Sequence, residues 1–597
     1  MRFVWAVAAF VLAAVMIATG IAARTVFQGP KIETSAVEGS GTTAYTLIDG
    51  HVLNRMPGSQ TLRAAQEGTI FAAYGRTDDM KAWLADSEYT AVTLGDDGSV
   101  DSAVVAPTQT GADAEPAHRN PAGSDLWLDE FEQDDILIQH LQLPDTMSVL
   151  VATDGTKPAP AEISLTWPLQ TSTPWAGPLI VGGGILMAVG VFLYILGLRR
   201  LRRSRGPRRK ALPPLPETES IDLSVSAADK GVISAGRAQK AATGRRRGFV
   251  IIPVLAVSSL LFAGCSADAW PQFGGTPSPT PTQTVVDPEG AQSPAVTPTQ
   301  ADRILSRVST TVAKADEKKD GTLAATRLAG AALAERKTNY TLRGKISTEK
   351  ALPAVPATGV ELVLPQAYEG WPRTVMLIAE HKSGDKVSST MMMLAQQDAW
   401  SPYKLAYSGQ LEAAKLPEVA PAYVGAAAVQ PDSSFLVMAP GKIAAAYADV
   451  MDKGDKSASA GAFDTENDVF LKGVEAKRKE QVATFNKTAS KTGSLAFAAK
   501  TGSQKPVALA TLESGAIVAV NVDETETVKP TNKDAVIKLD DNPRVKALTG
   551  VKESATGFTT TYSDQLFFYV PGVGAGDAQI RLLGYASNIL GAKVVSK

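Results

Sequence analysis

Three uncharged apolar runs, each beside arginine, constrain this 597-residue chain more than any other feature. The first occupies residues 3–23, between Arg2 and Arg24. At ~1.5 Å per residue, a helix of that length crosses the ~30 Å of hydrocarbon in a bilayer. The second occupies residues 175–198, with Trp175 and Tyr194 near its ends, where amphipathic rings favour the membrane interface. Arg199, Arg200, Arg202 and Arg203 open a stretch of eight cations in twelve residues, which is costly to translocate and predicts a cytoplasmic end. The third run, residues 249–264, follows Arg245, Arg246 and Arg247. Its length as a helix is only ~24 Å, short for a span.

The second run is thus expected to leave the outer side and end inside, and the first to run from inside to outside. A cleavable signal peptide is the competing reading of residues 3–23, although their apolar stretch exceeds the ~7–15 residues usual for such a core. Gly182, Gly183, Gly184, Ala188 and Gly190 could let another helix approach the second run closely, but glycine is common in membrane helices, and simple lipid-facing packing is the expectation. Charge supports the topology. Residues 24–174 carry 8 basic and 22 acidic side chains, residues 199–247 carry 14 and 4, and residues 265–597 carry 36 and 35. The strongly basic block is therefore the one sizeable segment placed in the cytoplasm, as a loop without apolar periodicity. Its arginines are expected to attract anionic lipid headgroups. The overall balance, 44% hydrophobic and net −2, excludes a largely disordered chain and gives no support to nucleic acid as a partner.

Cys265 is the single cysteine, so no disulfide forms within the chain. His51, His118, His140 and His381 show no metal-ligand spacing, and neither a metal nor another cofactor is expected. Positive residues, a short apolar core and small residues before Cys265 form a lipoprotein-signal pattern. Leu261, Phe262, Ala263, Gly264 and Cys265 resemble a bacterial lipobox. That resemblance implies acylation of the Cys265 thiol and a cut just before it; Phe262 departs from the usual Leu. An uncut third span over residues 249–267 is the alternative. Either outcome puts the following polypeptide outside the cytoplasm.

Between the first two runs, residues 30–173 alternate short apolar stretches with turn sequences such as Asp96-Asp97-Gly98, predicting an extracytoplasmic antiparallel β-sandwich. Helix is expected only near residues 78–86. Asp125, Asp129, Glu130, Glu132, Asp134 and Asp135 interleave with Trp127 and Phe131. Calcium binding or a glycosidase carboxylate pair would use such residues, but no DxDxDG spacing is present and a solvated strand face is the expectation.

Residues 271–299 hold seven prolines among Ser, Thr and Gln, the composition of an extended linker. Beyond it, two helices followed by a meander of strands occur twice, predicting α+β modules at 301–425 and 440–597. Their element order resembles tandem cystatin-like or NTF2-like modules of bacterial envelope lipoproteins. SxxK strings at 347–350 and 383–386 and KTG at 491–493 and 500–502 lie in polar stretches without a convincing SxN between them, unlike penicillin-binding enzymes.

The whole layout resembles uncharacterised actinobacterial multi-pass envelope proteins with a lipoprotein-like C-terminal half. The resemblance implies residence in the plasma membrane, with both large domains extracytoplasmic, and supplies no activity. With no catalytic motif found, the expectation is a non-enzymatic anchored scaffold or binding module on the outer face, with membrane lipids and an envelope protein or glycan as partners. The alternative is an envelope enzyme acting on glycan or peptidoglycan through carboxylates.

Overall fold

The computed structural model describes residues 2–27, 30–109, 118–169, 174–203, 294–367, 370–383, 386–576 and 578–596. The third apolar run, Cys265, Arg245, Arg246 and Arg247 lie outside the described residues. In chain order, α1 (Arg2–Thr25) precedes β1 (Ile32–Ala36), β2 (Tyr45–Ile48), α2 (Gly50–Leu53), β3 (Gln60–Arg76), α3 (Thr77–Trp83), β4 (Tyr89–Leu94) and β5 (Val100–Val105). Then come β6 (Asp129–Leu141), β7 (Met147–Ala152), β8 (Glu162–Pro168) and α4 (Ala176–Arg203).

Helices α1 and α4 belong to one compact unit, and both are long and apolar enough to cross a membrane. They run antiparallel, because Gly20 meets Ile180, Gly183 meets Ile17 and Gly190 meets Phe10. Glycine is what permits the approach. A Cβ on Gly183 would stand 2.6 Å from Ile17 Cγ1, so the small residues of α4 seat the branched residues of α1. The helix continues past the apolar run, placing Arg199, Arg200, Arg202 and Arg203 in its final turns.

The second unit joins residues 34–167 to 285–597. Its first part holds one eight-stranded sheet, ordered β1-β8-β3-β7-β2-β4-β5, with β6 on β3. This branched sheet replaces the expected two-sheet sandwich. Strand β3 is 17 residues long, long enough to pair with β8 over its first third and with β7 over its last. A bulge between Ala65 and Thr69 re-aims it, with Gly68 (φ 92°) and Asp135 (φ 64°) in left-handed backbone. The β2–β4 pair is parallel, which an all-antiparallel sandwich would not contain. One face of this sheet buries Ile48, Leu62, Val92, Val151 and Trp167. The other carries Tyr45, Phe71 and Leu150 against Trp83 of α3 and Trp127.

The C-terminal part begins earlier than the expected linker boundary, since Ala295 and Val296 are buried. It contains α5 (Pro298–Lys318), α6 (Gly321–Arg327), α7 (Gly330–Lys345), β9 (Val360–Pro365), β10 (Arg373–Ser383), β11 (Lys386–Gln396) and β12 (Lys404–Leu411). After these come α8 (Pro440–Lys453), α9 (Val469–Thr488), β13 (Gly493–Thr501), β14 (Val507–Ala510) and β15 (Ala516–Pro530). The last elements are β16 (Ile537–Lys538), α10 (Pro543–Thr549), β17 (Glu553–Ser554), β18 (Phe558–Val570) and β19 (Arg581–Val594). Helix α7 continues through Lys345, taking up the start of the expected strand meander, because Ala332, Glu335, Arg336, Asn339, Tyr340 and Leu342 are buried at helical spacing.

Two α+β halves are recognisable, but they do not stand as separate sheets. A nine-stranded sheet runs β13-β15-β18-β19-β12-β11-β10-β9, with β14 on β15. Its seam is the pairing of Gln410 with Tyr585 and Leu411 with Gly584. Helices α5 and α6 cover one face of the first half, and α8 and α9 cover a face of the second. Met376, Met393, Ile517, Phe567 and Leu583, from both halves, then share one further core. Neither half could bury that face alone.

Candidate functional site

The capping box of α5 starts the joint between the two parts of the second unit. Thr297 and Gln300 exchange hydrogen bonds at 3.0 and 3.3 Å, satisfying orphan backbone donors. The Gln300 amide nitrogen, held by that box, donates to the carbonyls of Asp125, Leu126 and Trp127 at 3.1–3.4 Å. One turn on, Arg303 donates to the carbonyl of Leu128 at 2.9 Å and to that of Trp127. A further turn on, Arg307 reaches the carbonyls of Gly123 and Ser124 at 3.0 and 3.2 Å and pairs with Glu130. Positions 300, 303 and 307 make one stripe on a helix, beside the apolar stripe of Ile304, Leu305, Val308 and Val312 that enters the core.

Asp125 is the centre of this contact. Its side chain is wholly buried, with Arg307 at 3.2 Å, Arg327 on the other oxygen, and the Tyr403 backbone N–H donating at 2.8 Å. The expected solvated face is therefore wrong for Asp125 and Glu130, because a partner domain supplies the cations. Asp134 and Asp135 do keep exposed, local roles, accepting from Thr69 and Gly68. A second buried pair joins α3 to β10. Arg373, fully buried, donates to both oxygens of Asp79 at 3.0 and 2.5 Å and lies 4.1 Å over the Trp371 ring. Trp400 adds a 2.9 Å hydrogen bond to the Trp83 carbonyl. Charges this deep cost several kcal/mol each to desolvate and stand only when paired.

The second feature is a cleft between α7, residues 349–355 and the seam strands. Two cavities of about 280 and 310 Å³ adjoin there, sharing Glu335, Leu352, Pro353, Ser587 and Asn588 as wall. Glu335 is 3% exposed. Asn588 donates to its Oε2 at 2.7 Å, while Oε1 is buried without a hydrogen-bond partner. Burial pushes its carboxyl up to about 7, against the opposing Asn588, Ser563 and Gln565 side chains. Asp564 is likewise pushed up to about 7, mainly by burial. It does not share the cleft. Strand alternation puts Gln565 on the Glu335 side, whereas Asp564 follows Leu566 and Phe568 towards the α8–α9 core. Glu349, the other carboxylate lining the cleft, is tied to Arg544 at 2.9 Å. Among the described residues, no group of three or more His, Cys, Asp or Glu gathers as a metal centre.

Residues 292–594 match a family model described as a domain of unknown function, DUF8094. The chain belongs to the DUF8094 family. No curated protein and no solved structure matches it. The DUF8094 region thus contains α5–α10, the whole nine-stranded sheet, the cationic half of the joint and the entire cleft, whereas Asp79, Asp125 and Glu130 lie outside it. Of the residues singled out from sequence, Arg199, Arg200, Arg202 and Arg203 lie in the final turns of α4. Gln300, Arg303, Arg307, Arg327, Arg373 and Glu335 were missed. The spacing of Gln300, Arg303 and Arg307 beside an apolar stripe was the available signal, since it marks a helix with two occupied faces.

Proposed function

We propose that this DUF8094 protein is a non-enzymatic, membrane-anchored binding module or scaffold, with both folded parts on the outer face of the plasma membrane. The observation that carries the reading is the buried joint of Asp79 with Arg373 and Asp125 with Arg307 and Arg327. Two domains joined through such pairs must lie on one side of a membrane. Between them the chain contains α4 and the apolar run at 249–264, and a second crossing there, or insertion as a lipoprotein signal, returns it to the side it left. The basic block at 199–247 then falls inside, as the cost of translocating arginine requires, and its cations meet anionic headgroups. The cleft supports binding over glycan hydrolysis, because that chemistry needs two carboxyls facing one space roughly 5–10 Å apart. Asp564 faces away, and Glu349 is held by Arg544.

Protease-cleavable tags at residue 220 and after Lys597 test the reading in intact cells. The C-terminal tag is cut and the tag at 220 is protected; the reverse pattern ends the proposal. Intact mass then assigns the anchor. A diacylglycerol on a chain beginning at Cys265 means processing, and a full-length chain with a free thiol means a third span.

A further inference from the structure

The outer of the two adjoining cavities, about 310 Å³, carries an excess of positive charge. Lys350 from the loop after α7, Lys477 from α9 and Arg544 from α10 line it, against the carboxylate of Glu349. Glu335 does little to offset them. It is 3% exposed, and burial pushes its carboxyl up to about 7, enclosed by Asn588, Ser563 and Gln565. Two of the cations are held in place. Lys477 Nζ lies 4.0 Å from the centre of the Tyr562 ring, a cation–π contact. Arg544 donates through Nε to Glu349 at 2.9 Å, with 54% of its side chain exposed, which leaves the rest of its fork of donors for a ligand. Among the described residues, neither the Arg544 Nη groups nor the Tyr562 hydroxyl has a hydrogen-bond partner. Burial and the charges of Glu526 and Glu524 push that hydroxyl up to about 12, against the Arg544 charge, so at neutral pH it stays a donor.

We propose that the outer cavity binds a phosphomonoester, its phosphate oxygens accepting from Lys477, Arg544 and the Tyr562 hydroxyl, with Lys350 at the rim and the organic group directed into the inner cavity. The proposal rests on the binding-module reading and names its ligand class. A cation is opposed by the charge excess, and an uncharged ligand leaves it uncompensated. A phosphomonoester carries about −1.5 to −2 at pH 7 and presents three acceptor oxygens, which suits donors arriving from separate segments of the chain. A carboxylate has only two oxygens, in one plane. Hydrogen bonds between ionised groups of this kind are the strong ones. The inner cavity, about 280 Å³, shares Leu352, Pro353, Ser587 and Asn588 with the outer one and adds Leu328, Val355 and Leu405 as apolar wall. A polar end beside an apolar chamber fits an organic phosphate better than the bare ion.

The test uses the full chain in phosphatidylcholine nanodiscs and isothermal titration calorimetry at fixed ionic strength. Inorganic phosphate and phenyl phosphate are the probes; succinate, spermidine and cellobiose are the controls. Both phosphates bind, phenyl phosphate the more tightly, and the controls do not. Lys477→Met and Arg544→Met each weaken phenyl phosphate by about tenfold or more, the loss of one charge-assisted hydrogen bond. Tyr562→Phe, which removes only the hydroxyl, weakens it severalfold, and Lys442→Met, on the exposed start of α8, leaves it unchanged. Should Arg544→Met fail to fold, Lys477→Met and Tyr562→Phe carry the comparison. Including phosphatidic acid in the nanodiscs separates the sources of the ligand. Competition with phenyl phosphate points to a lipid headgroup and its absence to a soluble ester, and either result keeps the site. No heat from either phosphate, a control that binds in their place, or a loss in Lys442→Met equal to that in Lys477→Met would each overturn it. The readout is independent of which side of the membrane the cavity occupies, so its failure is distinct from failure of the tag experiment.

Discussion

Arg373→Met offers the sharpest measurement of the joint. The guanidinium makes two hydrogen bonds to Asp79, with 0% of the arginine side chain and 5% of the aspartate side chain exposed. Removing one member of a buried pair costs about 3–5 kcal/mol, because the other charge stays buried without compensation. Arg76 Nη1, 3.5 Å from Asp79 Oδ2, remains as a weaker partner. The lower end, about 3 kcal/mol, therefore applies, and docking weakens by about two powers of ten. A site-specific protease sequence placed at 282–287 follows the last apolar run, so the released piece carries no candidate span. After cutting, wild-type membranes retain that piece through the joint, and Arg373→Met membranes release it. Methionine with Asp79→Leu, two apolar side chains facing each other, recovers much of the retention. The reasoning is refuted if cut Arg373→Met is retained as firmly as wild type, or if the double variant is no better than the single one.

Asp125→Ala, which strips Arg307, Arg327 and the Tyr403 N–H of a shared acceptor, weakens retention in the same assay by a further ~3 kcal/mol. Thermal melts as a function of pH report on Glu335, whose carboxyl moves from an ordinary 4.5 to about 7 on folding. The native state holds its proton more tightly, so this contribution is complete below pH 4.5 and is lost as pH climbs to 7, on the order of 3 kcal/mol. Glu335→Gln flattens that descent, and an unchanged slope argues against the assigned burial. Gly183→Ile, whose Cβ would fall 2.6 Å from Ile17 Cγ1, separates α1 from α4. Disulfide cross-linking between cysteines placed at Phe10 and Gly190 then drops severalfold, and an undiminished yield contradicts the helix pairing.

What the sequence disclosed about the fold follows from which interactions are local. The short strands expected within residues 30–173 include β4 at Tyr89–Leu94, because period-2 alternation is written into neighbouring residues. Helix α3, expected near residues 78–86, lies at Thr77–Trp83, for the same reason at period 3.6. The larger errors are matters of partnership. Alternation in β3 does not say that its two ends pair with different strands. Nor does anything around Gln410 say that its neighbour is Tyr585, 175 positions away. Two meanders with their own helices read as two modules until the seam and the shared Met376–Phe567 core join them.

The joint was hidden for a related reason, one of electrostatics. An acidic loop read alone has water as its cheapest partner, and a solvated face follows. Asp125 is instead desolvated because three groups from 182 to 278 positions away converge on it. Residues 24–174 carry a net −14, while the DUF8094 face that meets them presents Gln300, Arg303, Arg307, Arg327 and Arg373. Both patterns were visible, yet each alone reads as surface. Only their complementarity distinguishes an interface from two solvated faces, and that is a property of the pair. Because the pairs are buried, removing either partner costs more than the contact contributes, so the joint discriminates against a face lacking carboxylates at these positions. That is a physical reason for two folded parts, separated by more than a hundred residues of anchor and linker, to select each other.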